Sequence, residues 1–338
     1  MGDGEAVRGS LGLRVLAVML VSVALVALVV VPVGLRELLE AMRRLSWRPL
    51  VFVFAVEVAL ALVRTQRARC LLPRPVRWWD ALVSVSVGFM ASVSLPLRLG
   101  GVVRPILLQR RAAVPFGEGL AGGVAERVLD VMALAVLVAV VAAAPGALPV
   151  DAAVGPWLPW ISVLALVGAV GLGGMAWGGE ALTRRVAPSL GRLGRVGVFA
   201  ARVLAEAARA FAHLRAKPRA LIEGALWTAL MWVSALVLPW AILSPLGVPA
   251  DPLSLAFVWA TVMLAVAAIP TPGSVGAFEA AGALALGLLG VDAADAAAAV
   301  VLLHGGTLGS NLIIGLCFLP AALRDRAGGG VASRGSMH

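Results

Sequence analysis

The sequence predicts an all-α polytopic membrane protein of about eight transmembrane helices, with two re-entrant elements arranged as an inverted repeat. Three observations lead there. Hydrophobic residues make up 61% of the chain, charged residues 14%, and the mean hydropathy is +0.99, which leaves too little polar surface to cover a water-soluble globule. Apolar runs long enough to cross roughly 30 Å of hydrocarbon recur along the chain. Finally, SLPLRLGGVVRPILLQRR (94–111) and AIPTPGSVGAFEAAGALALGLLG (268–290) share one pattern of proline, glycine four residues on, then an ionisable residue. These are Pro96, Gly100 and Arg104 in the first stretch and Pro272, Gly276 and Glu279 in the second. A charge at the centre of a spanning helix costs about 2.5–3.5 kcal/mol, so such residues face a cavity or a partner and mark a substrate pathway.

Residues 1–14, which include Arg8 and Arg14, form a cytoplasmic N-terminus ahead of the membrane domain at 15–323. The run from Val15 to Val33 is too long for a signal-peptide core and has no small-x-small cleavage site, so 15–35 is predicted as a retained first helix. Further spans are predicted at 49–63, 81–97, 121–144, 158–177, 221–243, 253–269 and 297–320. Loops 145–157 and 244–252 contain no Lys or Arg, whereas 64–79 holds Arg64, Arg67, Arg69, Arg74 and Arg77, and 178–219 is basic throughout. The bare loops are therefore predicted outside and the basic ones inside. If 64–79 and the start of the helix at 121 share the inner side, 81–111 has to enter the membrane and return. After the helix at 253–269, which starts outside, 270–290 likewise needs a break and a half-length helix before the last span, whose end at Arg324 and Arg326 is cytoplasmic. Loop 36–48 departs from the rule: predicted external, it carries Arg36, Arg43, Arg44 and Arg48, offset in part by Glu37 and Glu40.

Between 190 and 216 the apolar residues Leu193, Val196, Ala200, Val203, Ala207, Phe211 and Leu214 recur at helical spacing with arginines between them. This predicts an amphipathic cytoplasmic helix, lying on the inner leaflet or packed on the ends of the spans. The glycine-rich tail at 324–338 is expected to be disordered.

A formal net charge of +10 suggests nucleic acid at first sight, but the arginines sit in short loops without an aromatic-basic motif. They serve topology and contacts with anionic inner-leaflet lipids, and no nucleic-acid partner is expected. Cys70 and Cys317 offer neither a disulfide framework nor a CxxC metal spacing, and His213, His304 and His338 are thin material for a metal site. No cofactor or metal is expected.

The residues able to carry chemistry are few. Gly100 and Gly101 can open a half-helix whose free N–H groups attract an anion, with Arg98 or Arg104 adding charge-assisted hydrogen bonds. A lipid phosphate is the natural occupant; the alternative is that Arg98, Arg104, Arg110 and Arg111 snorkel to headgroups. In GGVAERVLDVMALAV, Glu126 and Asp130 fall one turn apart beside Arg127, either as part of a pathway or as an interfacial salt-bridge cluster. Glu279 follows a helix-breaking cluster of Pro270, Pro272, Gly273 and Gly276, whose freed backbone groups only a cavity or a protein-buried setting tolerates. Glu57 and His304 are either proton carriers or buried residues hydrogen-bonded to a neighbouring helix. Gly168, Gly171, Gly173, Gly174, Gly305, Gly306 and Gly309 are expected to permit close helix contact.

In order and combination, LPLRLGGVVRPILLQRR, AERVLDVMAL and IPTPGSVGAFEAAGALALGLLGV resemble the signature stretches of the lysylphosphatidylglycerol synthase transmembrane region, the flippase-like integral membrane family. The likeness extends over about 12–325. The family's P-x-R-x-G-[DE]-x-x-R form falls on Pro96, Arg98, Gly100, Gly101 and Arg104, with glycine at the acidic position. Its E-R-x-x-D element falls on Glu126, Arg127 and Asp130, and its P-x-P-G-x-x-G-x-x-E element on Pro270, Pro272, Gly273, Gly276 and Glu279. The chain resembles stand-alone members, which lack the soluble aminoacyl-transferase domain. The resemblance implies a translocase, not an enzyme, in the cytoplasmic membrane, with both termini inside. Its substrate would be an anionic or zwitterionic phospholipid or an isoprenoid-linked lipid, and a separately encoded synthase or glycosyltransferase its partner. The competing expectation is a membrane-embedded enzyme or accessory subunit of polyprenyl-phosphate-dependent glycosylation, although the chain holds no DxD or DDxxD.

Overall fold

Backbone polar groups have no water to bind in hydrocarbon, so an apolar chain that crosses it must close its hydrogen bonds within helices. The computed structural model is helical on these terms, with no strand among the described residues. It describes residues 47–94, 100–143, 178–179, 181–190, 194–246, 250–269 and 271–324, with scattered positions between 20 and 40. The helices used below are α1 (Arg48–Leu71), α2 (Trp78–Ser94), α3 (Gly100–Ala112), α4 (Phe116–Ala142), α5 (Gly194–Ala216), α6 (Pro218–Ala235), α7 (Val237–Leu243), α8 (Pro252–Ala268), α9 (Ala277–Leu288) and α10 (Ala293–Leu323). Three stretches among them are long and apolar enough to cross a membrane: α1, the α6–α7 unit and α10. The predicted span at 158–177 and most of 15–35 fall outside the described residues, as do Pro96, Arg98, Pro270 and the tail from 325.

Several helix ends follow from local chemistry. Pro49, Pro218 and Pro252 each sit in the first turn of their helices, where a missing N–H costs nothing. Arg219, next to Pro218, pairs with Glu223 one turn on at 3.4 Å. Asp251 caps α8 by accepting from the N–H groups of Leu253 and Ser254 at 3.0 and 3.1 Å, and Asp292 caps α10 through Ala294.

Helices α2 and α3 form an antiparallel hairpin. Gly88 lies against Arg104, and one turn along each helix Ser92 lies against Gly100. A Cβ on Gly100 would overlap the Gly88 carbonyl oxygen, so only glycine allows this approach. The chain thus doubles back over 81–111, in place of the single long helix that its length alone would allow. Helices α8 and α9 form the second hairpin, with Trp259 edge-on to Phe278 at 6.3 Å. Between them the chain leaves helical geometry at Ile269 and turns through a short 3-10 segment, Pro272–Ser274, with Gly273 at φ 60° and Gly276 at φ 87°. The tips of the two hairpins meet: a Cβ on Gly273 would lie 3.1 Å from the Val93 carbonyl oxygen near the end of α2.

Helix α10 joins the hairpins. Gly315 receives Met90 of α2, Phe318 meets Trp79 edge-on at 5.5 Å, and Gly306 receives Leu50 and Val53 of α1. Of the glycines expected to make close contacts, Gly306 does, whereas Gly305 and Gly309 face open space and Gly168, Gly171, Gly173 and Gly174 lie outside the described residues. The largest apolar core, including Leu60, Ile242, Phe257, Phe278 and Leu303, draws on α1, α7, α8, α9 and α10. Helix α5 buries Ala210, Phe211 and Leu214 against Leu71, Ala121 and Ala125, so its apolar stripe packs on the ends of other helices. Val198 and Phe199 remain exposed on it.

Two of the boundaries that differ from those predicted bear on the site. The helix expected to end at 63 runs to Leu71, because the arginines that mark a loop by charge are accommodated on a helix that finds acidic partners for them. Likewise α4 begins at Phe116, before the predicted 121, and its first turn places Glu118 beside Arg74 at 3.0 Å.

Candidate functional site

Helix periodicity places Glu126 and Asp130 on one side of α4, one turn apart, about 15 and 21 Å along the axis from Phe116 at 1.5 Å per residue. Two arginines from different elements converge on them. Arg104 of α3 makes a two-pronged contact with Glu126, Nη1 to Oε2 at 2.9 Å and Nη2 to Oε1 at 2.6 Å. Arg67 of α1 donates from Nη2 to the same Oε2 at 3.2 Å and from Nη1 to Asp130 Oδ1 at 2.5 Å. Trp232 Nε1 of α6 donates to that Oδ1 at 3.3 Å, and Thr228 stands 3.5 Å from Arg67. Four helices therefore supply one polar centre.

Its charges balance: two guanidinium groups face two carboxylates. Such a balance is what allows ionised groups to remain among apolar helices, since each would otherwise bear the full cost of leaving water. Arg67 is only 3% exposed. Arg127, with its side chain 73% exposed, reaches Asp130 Oδ2 at 3.5 Å from outside the centre. The Nε atoms of Arg67 and Arg104 are buried and find no hydrogen-bond partner among the described residues.

A second polar centre lies at the tip of the α8–α9 hairpin. Glu279 Oε2 accepts from the Gly276 N–H at 2.7 Å, which caps α9, and Oε1 lies 2.6 Å from His304 Nδ1 of α10. His304 Nε2 lies 2.9 Å from the Gly273 carbonyl oxygen. Glu279 and Arg104 are therefore not paired with each other; each has a nearer partner, His304 and Glu126 respectively. Pro272 belongs to the turn that presents the buried Gly273.

The remaining candidates sort by partner. Arg111 is buried rather than snorkelling: it pairs with Asp80 at 2.8 Å and donates to the Ala321 carbonyl. Arg110 is exposed. Glu57 is buried and held by Arg64 of its own helix at 3.1 Å, with Asn311 of α10 accepting from the same guanidinium at 3.2 Å. Gly100 is the first residue of α3 and packs against α2, while Gly101 faces open space. Arg67 is hidden in the sequence by the very feature that marks 64–79 as a basic loop. Its spacing of three from Arg64, continuing an apolar helix, is the only signal that it turns inward.

A bundle of long apolar helices joined by two hairpins, with balanced charge buried between them, defines a multi-pass helical membrane protein. Residues 15–315 match the lysylphosphatidylglycerol synthase TM region, and the chain belongs to this family. Membership gives it a lipid-related function in a membrane. Neither the curated proteins nor the solved structures yielded a match to the chain.

Proposed function

We propose that the protein moves a lipid with a phosphate headgroup between leaflets without altering it chemically. The observation that carries this function is the sharing of Glu126 by Arg67 and Arg104. A phosphate approaching the centre competes with Glu126 for Arg104, whose planar fork suits either group. As Arg104 turns to the phosphate, Glu126 keeps Arg67, so no buried carboxylate is left unpaired during the exchange. The incoming negative charge is balanced when the headgroup also carries a cation, as in a zwitterionic or aminoacylated lipid, which Glu126 and Asp130 can receive. The acyl or isoprenoid chains remain in the bilayer.

In this proposal 81–111 and 268–290 are the re-entrant elements of an inverted repeat within about eight spans. Loops 145–157 and 244–252 lie outside and both termini lie in the cytoplasm. Arg98, Arg104 and Gly100 take the phosphate side of the headgroup, Glu126 and Asp130 balance that charge with Arg127 at their edge, and Pro270, Pro272, Gly273, Gly276 and Glu279 form the opposing motif. A separately encoded synthase or glycosyltransferase supplies or consumes the lipid.

Reconstitution tests the proposal. In vesicles with labelled phosphatidylglycerol and lysylphosphatidylglycerol, the protein should change leaflet distribution while each lipid keeps its mass, and Arg104→Ala should slow the change at least about tenfold, as loss of a two-pronged ionic contact implies. A lipid panel that never moves, together with a product of altered mass, would establish an enzyme instead.

A further inference from the structure

Glu279 and His304 take no part in the arginine exchange, yet their geometry specifies a proton. The His304 ring is stacked on Phe278, with centroids 4.3 Å apart and planes 6° from parallel, and both its nitrogens face acceptors. A carbonyl oxygen only accepts, so Nε2, 2.9 Å from the Gly273 oxygen, carries a hydrogen. The 2.6 Å contact between Nδ1 and Glu279 Oε1 requires another, because an imidazole lone pair would repel a carboxylate at that distance. The pair therefore holds one shared proton, as imidazolium with carboxylate or as imidazole with carboxylic acid, and is neutral overall in either form.

The geometry points to a proton-binding site at Glu279–His304 whose occupancy clamps the 271–276 turn to α10 and thereby couples lipid movement to protons. When the shared proton leaves to water, the pair passes from neutral to a net charge of minus one in surroundings that include Phe278 and Leu303. The Nδ1 to Oε1 contact is then repulsive, the ring turns, and Nε2–H releases Gly273. Gly273 is the residue that rests on the Val93 carbonyl at the tip of the other hairpin, so the proton controls the contact between the two tips.

Among the described residues, the helices packed around the pair carry few other ionisable groups. Helix α8 has no ionisable residue within its bounds, α9 has Glu279 alone, and α7 has none. Helix α2 contributes Asp80, paired with Arg111, and α1 contributes Glu57, paired with Arg64 and joined to α10 through Asn311. Helix α10 itself adds Asp295 and Cys317, and Arg104 of α3 is engaged by Glu126.

Coupling rests on the translocation proposed above, whereas proton binding does not, and two measurements separate them. The first is hydrogen–deuterium exchange of 271–276 in the purified full chain. After correction for intrinsic chemistry, protection should fall at least about tenfold on passing from acidic to alkaline buffer, as the shared proton is lost. The step should be absent in His304→Gln. Protection independent of pH in the native protein would overturn the proton site. The second is the leaflet ratio of labelled phosphatidylglycerol in vesicles with and without an imposed pH gradient. The gradient should shift the ratio at least about twofold in the native protein and leave Glu279→Gln and His304→Gln unaffected. Lipid that moves to the same ratio regardless of the gradient would overturn the coupling. Lipid that never moves would overturn both the translocation and the coupling, and the exchange measurement would still decide the proton site.

Discussion

Glu126 has two arginine partners and Asp130 has one that is buried, so removing the arginines singly has unequal consequences. Arg67→Ala leaves Asp130 with Trp232 and the exposed Arg127, and should destabilise the fold by about 3–5 kcal/mol, the range for breaking a buried ion pair. Arg104→Ala leaves Glu126 its bond to Arg67 and should cost about 1–3 kcal/mol. Chemical unfolding of both variants in one detergent checks the order. Equal costs would mean that Arg67 does not bridge the carboxylates. The ionisable residues of the two polar centres stand out in the sequence wherever an apolar run surrounds them, as at Arg104, Glu126, Asp130 and Glu279. Arg67 does not, because five arginines within sixteen residues read as one basic loop until α1 is seen to continue through them.

At the scale of elements, the hairpins depend on glycines that admit another chain. Gly100→Ala would press a methyl group onto the Gly88 backbone oxygen and Ser92, and should cost about 1–3 kcal/mol as overpacking, whereas Gly101→Ala, which meets open space, should be near neutral. Thermal unfolding of the two variants compares adjacent glycines of one helix. That 81–111 holds two helices and that a break follows α8 was legible from proline and glycine placement. The side-chain partners were not: the pairing of Glu279 with His304 bridges twenty-five residues and two helices, and no local periodicity encodes it. The amphipathic stripe of α5 was equally plain in sequence, but period alone does not distinguish a bilayer surface from the ends of α1 and α4.

At the scale of the molecule, the proposed orientation rests on charge asymmetry. With Cys70 and Cys317 replaced by serine, Ala152→Cys and Val248→Cys should react with an impermeant maleimide from outside intact cells, and Arg74→Cys should react only after permeabilisation. Labelling of Arg74→Cys from outside would reverse the topology. The arginine-rich stretch 36–48, which opposes the charge rule, makes this a necessary check.

If Arg104 exchanges Glu126 for the phosphate of a lipid, native mass spectrometry of the purified protein reads the bound lipid itself. The native protein should retain a phosphate-containing lipid through detergent exchange, Arg104→Ala should lose at least about nine-tenths of it, and Gly101→Ala should keep it. An identical lipid complement in all three folded proteins would contradict the claim.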